Sequence, residues 1–298
     1  MNKTTDSSSY FPAWSGKIGD FEVNVINIGD ITLPMGESLS GPKGTSDEIH
    51  VRTAIAHEKI VPMQDLLVRM NDMVVLVDAG SYDIGPESIY AIPGYQPPLS
   101  LTDQMTQLGV SPGDVDHVII THRHWDHFNG VTVSENGEWI PAFPNAKHYI
   151  SGLDWYYIKQ TMQNKGTHEA NAFPILEQLG LLQVIEGEFD VAPGISIHPA
   201  AGETEGHQIV RFHSKGETLY SVGDLYHHPI EVAYGQWLAS WANRQQTKES
   251  REWLLGRAAS ESACLMASHI PGIGRILQTP HGFKWGYVET TSDSHFSL

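Results

Sequence analysis

Within the segment "THRHWDH", residues 121–127, three imidazoles and a carboxylate fall in the six positions His122 to His127. His122 and His124 lie two apart just after the apolar run "DHVIITH". Residues i and i+2 of an extended chain face the same side, so both imidazoles can approach one cation while Arg123 and Trp125 point away. Asp126 and His127 follow where the chain would turn into a helix, and they can face a second cation. Imidazole and carboxylate suit Zn²⁺ and neighbouring divalent metals. Four such donors in six positions rarely all reach one tetrahedral centre, so two ions are the more natural reading. A pair roughly 3.5–4 Å apart can share a bridging hydroxide and act as a hydrolytic clamp. The competing reading is a histidine cluster with no metal.

These donors need rigid elements behind them. Three further residues close apolar runs: Asp78 ends "VVLVDAG", Asp224 ends "LYSVGD" and His269 ends "CLMASH". A ligand at a strand tip is held by the sheet behind it. "FEVNVINIGDITLP" reads as one or two strands, because Phe21, Val23 and Val25 alternate while Ile26 and Ile28 resume one step out of register. "DLLVRM" and "MVVLVDAG" flank a hairpin turn at Asn71-Asp72, and "IVRFHS" and "TLYSVGD" flank another at Lys215-Gly216. Helices are expected over 100–110, 152–163, 171–179 and 246–261, and strands at 146–151, 182–186 and 195–198. Residues 35–62 lack a period and hold Gly, Pro and Ser, so they read as a long loop, a lid or a dimer arm. "CLMASH" is expected to be the last strand. Residues 1–20 read as a flexible arm and 21–298 as a single domain. Strands in two runs, each followed by helices, suggest two similar αβ halves packed sheet on sheet.

Composition limits the partners. The 298 residues carry a formal net charge of −17, and 16 of them are histidine. A surface that negative repels phosphate backbones, so nucleic acid is not an expected partner. One cysteine, Cys264, excludes an internal disulfide and a Cys-rich zinc site, and is expected in the core. The N-terminal sequence has no apolar signal region and no run is long enough to span a bilayer, which leaves a cytoplasmic protein as the expectation. A small-molecule substrate is expected, and a homodimer stays open.

"THRHWDH", preceded by "VVLVDAG" and followed by "SVGD" and "SHIPGIG", resembles the metallo-β-lactamase superfamily over residues 21–285, closest in style to its lactonase and methyl-parathion-hydrolase-like branch. The resemblance implies an α/β fold, an αββα sandwich of two mixed β-sheets flanked by helices. It implies that His122 and His124 bind a first metal, that Asp126, His127 and His269 bind a second, and that Asp224 bridges them. Asp78 would orient the ligands. The metals would be two divalent ions, Zn²⁺ first, with Mn²⁺ or Fe²⁺ as alternatives. The implied activity is hydrolysis of a small ester or lactone by a metal-bridging hydroxide. Organophosphate triester hydrolysis, or a mono-iron sulfur or redox role, are the alternatives.

One family landmark departs. Where relatives carry a "PGHTPGH"-like turn, this chain reads "AAGETEGHQ". Glu203 takes the position of the ligand histidine, and His207 takes the second, usually non-ligand one. The interval to Asp224, 21 residues from Glu203 against 17 from His207, favours Glu203. His207 remains the alternative if the loop shifts. Lactonase-like relatives carry a tyrosine near the bridging aspartate as a donor to the substrate oxygen. Here Tyr226 lies two residues on and His227 three, the usual offset, and both are candidates. Pocket walls are sought in 35–62, in Trp155, Tyr156 and Tyr157, and in Tyr234, Trp237 and Trp241, although core packing is the favoured account of most of these aromatics.

Overall fold

The computed structural model describes residues 14–280 and 282–289. Phe21–Thr32 is a single strand covered on both faces. Phe21, Val23 and Val25 turn to one side, and Ile26 and Ile28 to the other. The break in alternation therefore marks a strand buried on both faces, as near-continuous apolar runs do. A bulge between Asn27 and Gly29 then carries Ile31 to the side of Ile28.

The first sheet has seven strands, in spatial order Trp14–Ile18, Phe21–Thr32, Ile60–Met70, Met73–Val77, His117–Ile119, Lys147–Ser151 and Leu182–Ile185. The first four pair antiparallel, and each of the last three joins its neighbour in parallel. The second sheet orders Phe189–Ala192, Ile195–Pro199, Gln208–Ser214, Glu217–Ser221, Cys264–Ala267, Ile270–Thr279 and Gly282–Val288. Glu217–Ser221 and Cys264–Ala267 pair in parallel, and the other neighbours antiparallel.

Three buried layers hold these sheets. Between them, Val23, Leu66, Val75 and Ile119 meet Ile197, Val210, Phe212 and Met266, with Cys264 in the same layer. On the outer face of the first sheet, the helices Ser46–Ile55, Leu101–Gln107, Gly152–Thr161 and His168–Gln178 bury Ile55, Met105, Ile158 and Leu176. On the outer face of the second, Arg244–Ser260 buries Leu254 and Ala258 against Tyr220 and Leu265. Each large apolar side chain buried this way contributes about 1.5–3 kcal/mol. The result is the expected αββα sandwich of two mixed sheets.

Three expectations are corrected. Residues 14–20 are not part of a loose arm: Trp14–Ile18 pairs with Phe21–Val25, Trp14 and Ile18 are buried, and the Trp14 indole donates to the Val288 carbonyl at 3.1 Å. The rest of that arm, residues 1–13, lies outside the described residues. Residues 35–62 are not one loop. They hold the helix Ser46–Ile55, whose N-cap Thr45 accepts the Glu48 amide and whose Val51 and Ile55 are buried. Cys264–Ala267 is not the last strand, because Ile270–Thr279 and Gly282–Val288 extend the sheet by a hairpin.

Met73–Val77 and His117–Ile119 run parallel and stop at the same edge. Glu217–Ser221 and Cys264–Ala267 do the same in the second sheet. Asp78, His122, Asp224 and His269 follow those four ends.

Candidate metal centre

His124 caps a short 3₁₀ turn, Trp125–His127, that carries Asp126 and His127. The turn docks on the tip of Met73–Val77. The Ala79 amide donates to the His127 carbonyl at 2.9 Å, and a Cβ at Gly80 would stand 2.2 Å from the Asp126 carbonyl oxygen. Only glycine allows so close an approach there.

Two donor groups meet at this edge. Ligand atoms of His122, His124, Glu203 and Asp224 lie within 4.8 Å of one another, as do those of Asp126, His127 and His269. Asp224 stands between the groups. Its Oδ2 lies 3.7 Å from His122 Nε2, 3.4 Å from His127 Nε2, 3.2 Å from His269 Nε2 and 3.4 Å from His227 Nε2. Asp126 Oδ2 is 3.7 Å from His127 Nε2 and 3.5 Å from His269 Nε2. Glu203 Oε1 is 3.3 Å from His124 Nδ1.

The imidazoles are held from behind. Asp78 adopts φ 60°, a strained conformation for a non-glycine residue. Its carboxylate accepts the Thr121 amide at 2.7 Å, the Thr121 hydroxyl at 2.9 Å and His127 Nδ1–H at 2.8 Å. That contact directs the His127 Nε2 lone pair inward. His269 Nδ1–H donates to the Pro62 carbonyl at 2.8 Å, with the same consequence.

The electrostatics fit a cation nest. Burial first, then the His127 and His124 rings, push His122 well below the ordinary imidazole range, which favours the neutral ring that a metal needs. Burial would raise Asp224, but His269 and His127 outweigh it and hold the carboxylate well below its usual range. Burial raises Glu203. For His227 burial pulls downward, and the Glu203 and Asp224 carboxylates override it and carry the ring up to about 9. Among the described residues, His127 Nε2, Asp224 Oδ1 and both ring nitrogens of His227 are buried without a hydrogen-bond partner. Buried polar atoms are seldom left so. A donor set of nitrogen and carboxylate oxygen, with such atoms converging, suits divalent metals.

The sequence candidates divide clearly. His207 stays out of the cluster: Nδ1–H donates to the Ala200 carbonyl at 3.0 Å, and Nε2 accepts the Asp224 amide at 3.1 Å. Both nitrogens are spent pinning the loop that carries Asp224. Gly223, at φ 50°, fits beneath that ring, where a Cβ would be 2.7 Å from Nε2. Tyr226 is turned the other way, fully buried in the layer under Arg244–Ser260 with the Arg251 guanidinium 4.5 Å from its ring centre. His227, one residue on, faces the cluster and stacks on His269 at 5.5 Å.

The donors open onto a cavity of about 280 Å³ walled by Ile31, Leu33, Tyr90, Trp125 and Trp241. Trp125 faces it, contrary to the sequence expectation, because the 3₁₀ turn replaces the extended alternation assumed there. Of the other aromatics expected, Trp155 and Trp237 are core, Tyr156 and Tyr157 are exposed on the surface, and Tyr234 packs on His50. Residues 35–62 do not line it.

Supporting residues escaped sequence reading. The Trp241 indole donates to Glu203 Oε1. Asp154, fully buried, accepts the Arg123 amide at 2.9 Å, the Arg123 guanidinium at 2.6 Å, the Thr204 hydroxyl at 2.8 Å and the Gly206 amide at 3.1 Å. It thereby ties the turn of His122 and His124 to the turn of Glu203. Gln64 donates to the Ile270 carbonyl at 2.8 Å and accepts the Gly272 amide at 3.0 Å, bracing the loop of His269. A polar residue inside an apolar strand, as Gln64 and Asp65 are, was the available signal.

The family model of the metallo-beta-lactamase superfamily matches residues 66–286. An N-acyl homoserine lactonase of a Bacillus species is 25% identical over 127 residues, covering 41% of this chain and 43% of that protein. The match thus spans under half of that relative. Among solved structures, the hydrolase AbOPH of the beta-lactamase superfamily superposes with a TM-score of 0.73 at 19% identity, over 96% of this chain and all of that one. AidC, a dizinc quorum-quenching lactonase, superposes at 0.71 and 22% identity, again over 96% of this chain and 100% of its own. At those identities the superpositions speak for the fold. The matched stretch covers about three quarters of the chain, with strands of both sheets and every donor of the cluster, and the chain belongs to the metallo-β-lactamase superfamily.

Proposed function

We propose that this chain is a metal-dependent hydrolase that cleaves a small ester or lactone with the help of two divalent ions. The observation that carries the proposal is Asp224, whose one oxygen stands within 3.7 Å of three imidazole Nε2 atoms from the two donor groups and of His227 Nε2, at the floor of an apolar-walled cavity.

His122, His124 and Glu203 would hold one ion, Asp126, His127 and His269 the other, and Asp224 both. Two such ions supply Lewis acidity toward a substrate oxygen and activate water near neutral pH. Zn²⁺ suits the imidazoles, and the extra carboxylate of Glu203 widens the choice toward Mn²⁺ or Fe²⁺. Asp224, kept ionised by His269 and His127, would supply the carboxylate that the two sites share. His227 is placed to donate from Nε2 to the substrate oxygen, the part that Tyr226 is too deeply turned away to take. Ile31, Leu33, Tyr90 and Trp125 exclude water and seat an apolar acyl or aryl group. The lactonase activity named for the Bacillus relative and for AidC supports the choice of a cyclic or linear ester. A mono-iron role draws no support from two donor groups of similar completeness.

A hydrolysis screen over a lactone, an aryl ester and a phosphotriester, with metal content measured alongside, tests the proposal. Turnover of the lactone or ester that disappears on chelation is expected. Turnover of the phosphotriester alone would move the assignment, and none of the three would refute it.

A further inference from the structure

Glu203 is the residue at which this chain leaves the family pattern, and its surroundings contain a compensating feature. A carboxylate in a ligand position has two oxygens and a free rotation that an imidazole lacks. It can chelate, bridge or swing out, and each costs the geometry of the ion. Here Oε1 is taken by the indole N–H of Trp241. The same oxygen lies 3.3 Å from His124 Nδ1 and 3.8 Å from His227 Nε2. Trp241 in turn meets the His227 ring edge-on, with centroids 5.5 Å apart and planes at 88°. The segment carrying it is anchored: the Ser240 amide donates to the Ser38 carbonyl at 2.8 Å, and Leu238–Ala239 pairs with Leu39–Ser40.

Taking Glu203 as a metal ligand, as proposed above, we infer that Trp241 is a positioning residue for that ligand. Its N–H holds the carboxylate oxygen that faces His124 and His227 and so fixes the rotation of the group, presenting the carboxylate to the ion in one orientation, as a fixed imidazole would present its nitrogen. The indole also walls the cavity. Trp241 itself is 48% exposed, so its replacement does not open the core.

The test is zinc affinity by competition with a chromophoric chelator, on the full chain, for Trp241→Phe, Glu203→His and the double variant. Phenylalanine keeps an aromatic wall and loses the N–H. In the wild-type background Trp241→Phe is expected to weaken one of two zinc sites about 10–100-fold, the usual cost of losing a group that orients a ligand. In the Glu203→His background the same change is expected to leave both affinities unaltered, since no carboxylate remains to be held. Circular dichroism should show the fold intact in all four proteins. Unchanged zinc affinity in Trp241→Phe alone, or an equal loss in both backgrounds, would overturn the inference while leaving the metal site standing. A wild-type chain that takes up no zinc would remove the metal site and the inference with it.

Discussion

The two donor groups at the sheet edge are built differently. Asp126, His127 and His269 are braced by main chain and by strand residues: His269 on the Pro62 carbonyl, its loop on Gln64, and His127 on Asp78. His122, His124 and Glu203 depend on side chains that come from helices and loops, with Asp154 under both turns and Trp241 on the carboxylate. The loop-braced group holds Glu203, the position at which the sequence departs from the motif it resembles, and Trp241 donates to that carboxylate. A strand tip leaves little room for exchange, whereas a turn tied by side chains can be rebuilt by altering two or three of them.

The largest effect should come from the residue both groups share. Asp224→Ala is expected to lower kcat on the order of 10³-fold or more, with both metal affinities reduced and the circular dichroism spectrum retained. A variant that lost only one metal site would show that the groups are less joined than the geometry implies. Next is Asp154→Asn, which turns two of four inward donors against an amide N–H₂. Setting an amide N–H against a buried donor this way should cost about 1–3 kcal/mol in denaturant unfolding, and loosen the His122, His124 and Glu203 group before the other. Equal loss at both sites would count against the division drawn here.

Acid lability needs a reference outside both groups, and His148 provides it. It is fully buried on Lys147–Ser151, and burial lowers it to about 4 against the weaker upward pull of the Ala146 and Leu181 backbone. Its folded value lies below its unfolded one, so the unfolded chain takes up the proton first. The fold therefore loses stability as pH falls from about 6.5 toward 4, by about 3 kcal/mol at the lower end, and nothing above that window. His148→Leu should flatten this part of the stability profile in metal-free protein. Acid loss that survives the substitution comes from other groups, among them His207, which burial also lowers to about 4. The smallest effect expected is from Asp78→Asn, a roughly 10–100-fold weaker second site through His127, with a lesser loss at the first through Thr121.

Most of the cluster was legible in the sequence because its chemistry is local: His122, His124, Asp126 and His127 follow one strand end within six positions, and Asp78, Asp224 and His269 each close an apolar run. The loop-braced group was only half legible. Spacing favoured Glu203 over His207, but the reason His207 stays out is two hydrogen bonds, to Ala200 and Asp224, that no spacing reveals. Tyr226 and His227 differ by one position, and one step along the chain exchanges the buried side for the open one. Ile270–Thr279 was missed because Pro271, Gly272 and Gly274 interrupt its apolar pattern. Ser46–Ile55 was missed because only Val51 and Ile55 of its residues are buried, although Thr45 and Glu48 already marked its start.

Metal content per chain, measured by elemental analysis after dialysis and followed by chelation and readdition, bears most directly on these claims. Two divalent ions per chain are predicted, with ester or lactone hydrolysis that vanishes on chelation and returns with zinc. Protein that retains no transition metal, or hydrolysis indifferent to the chelator, would contradict a function built on Asp224 and the two groups it joins.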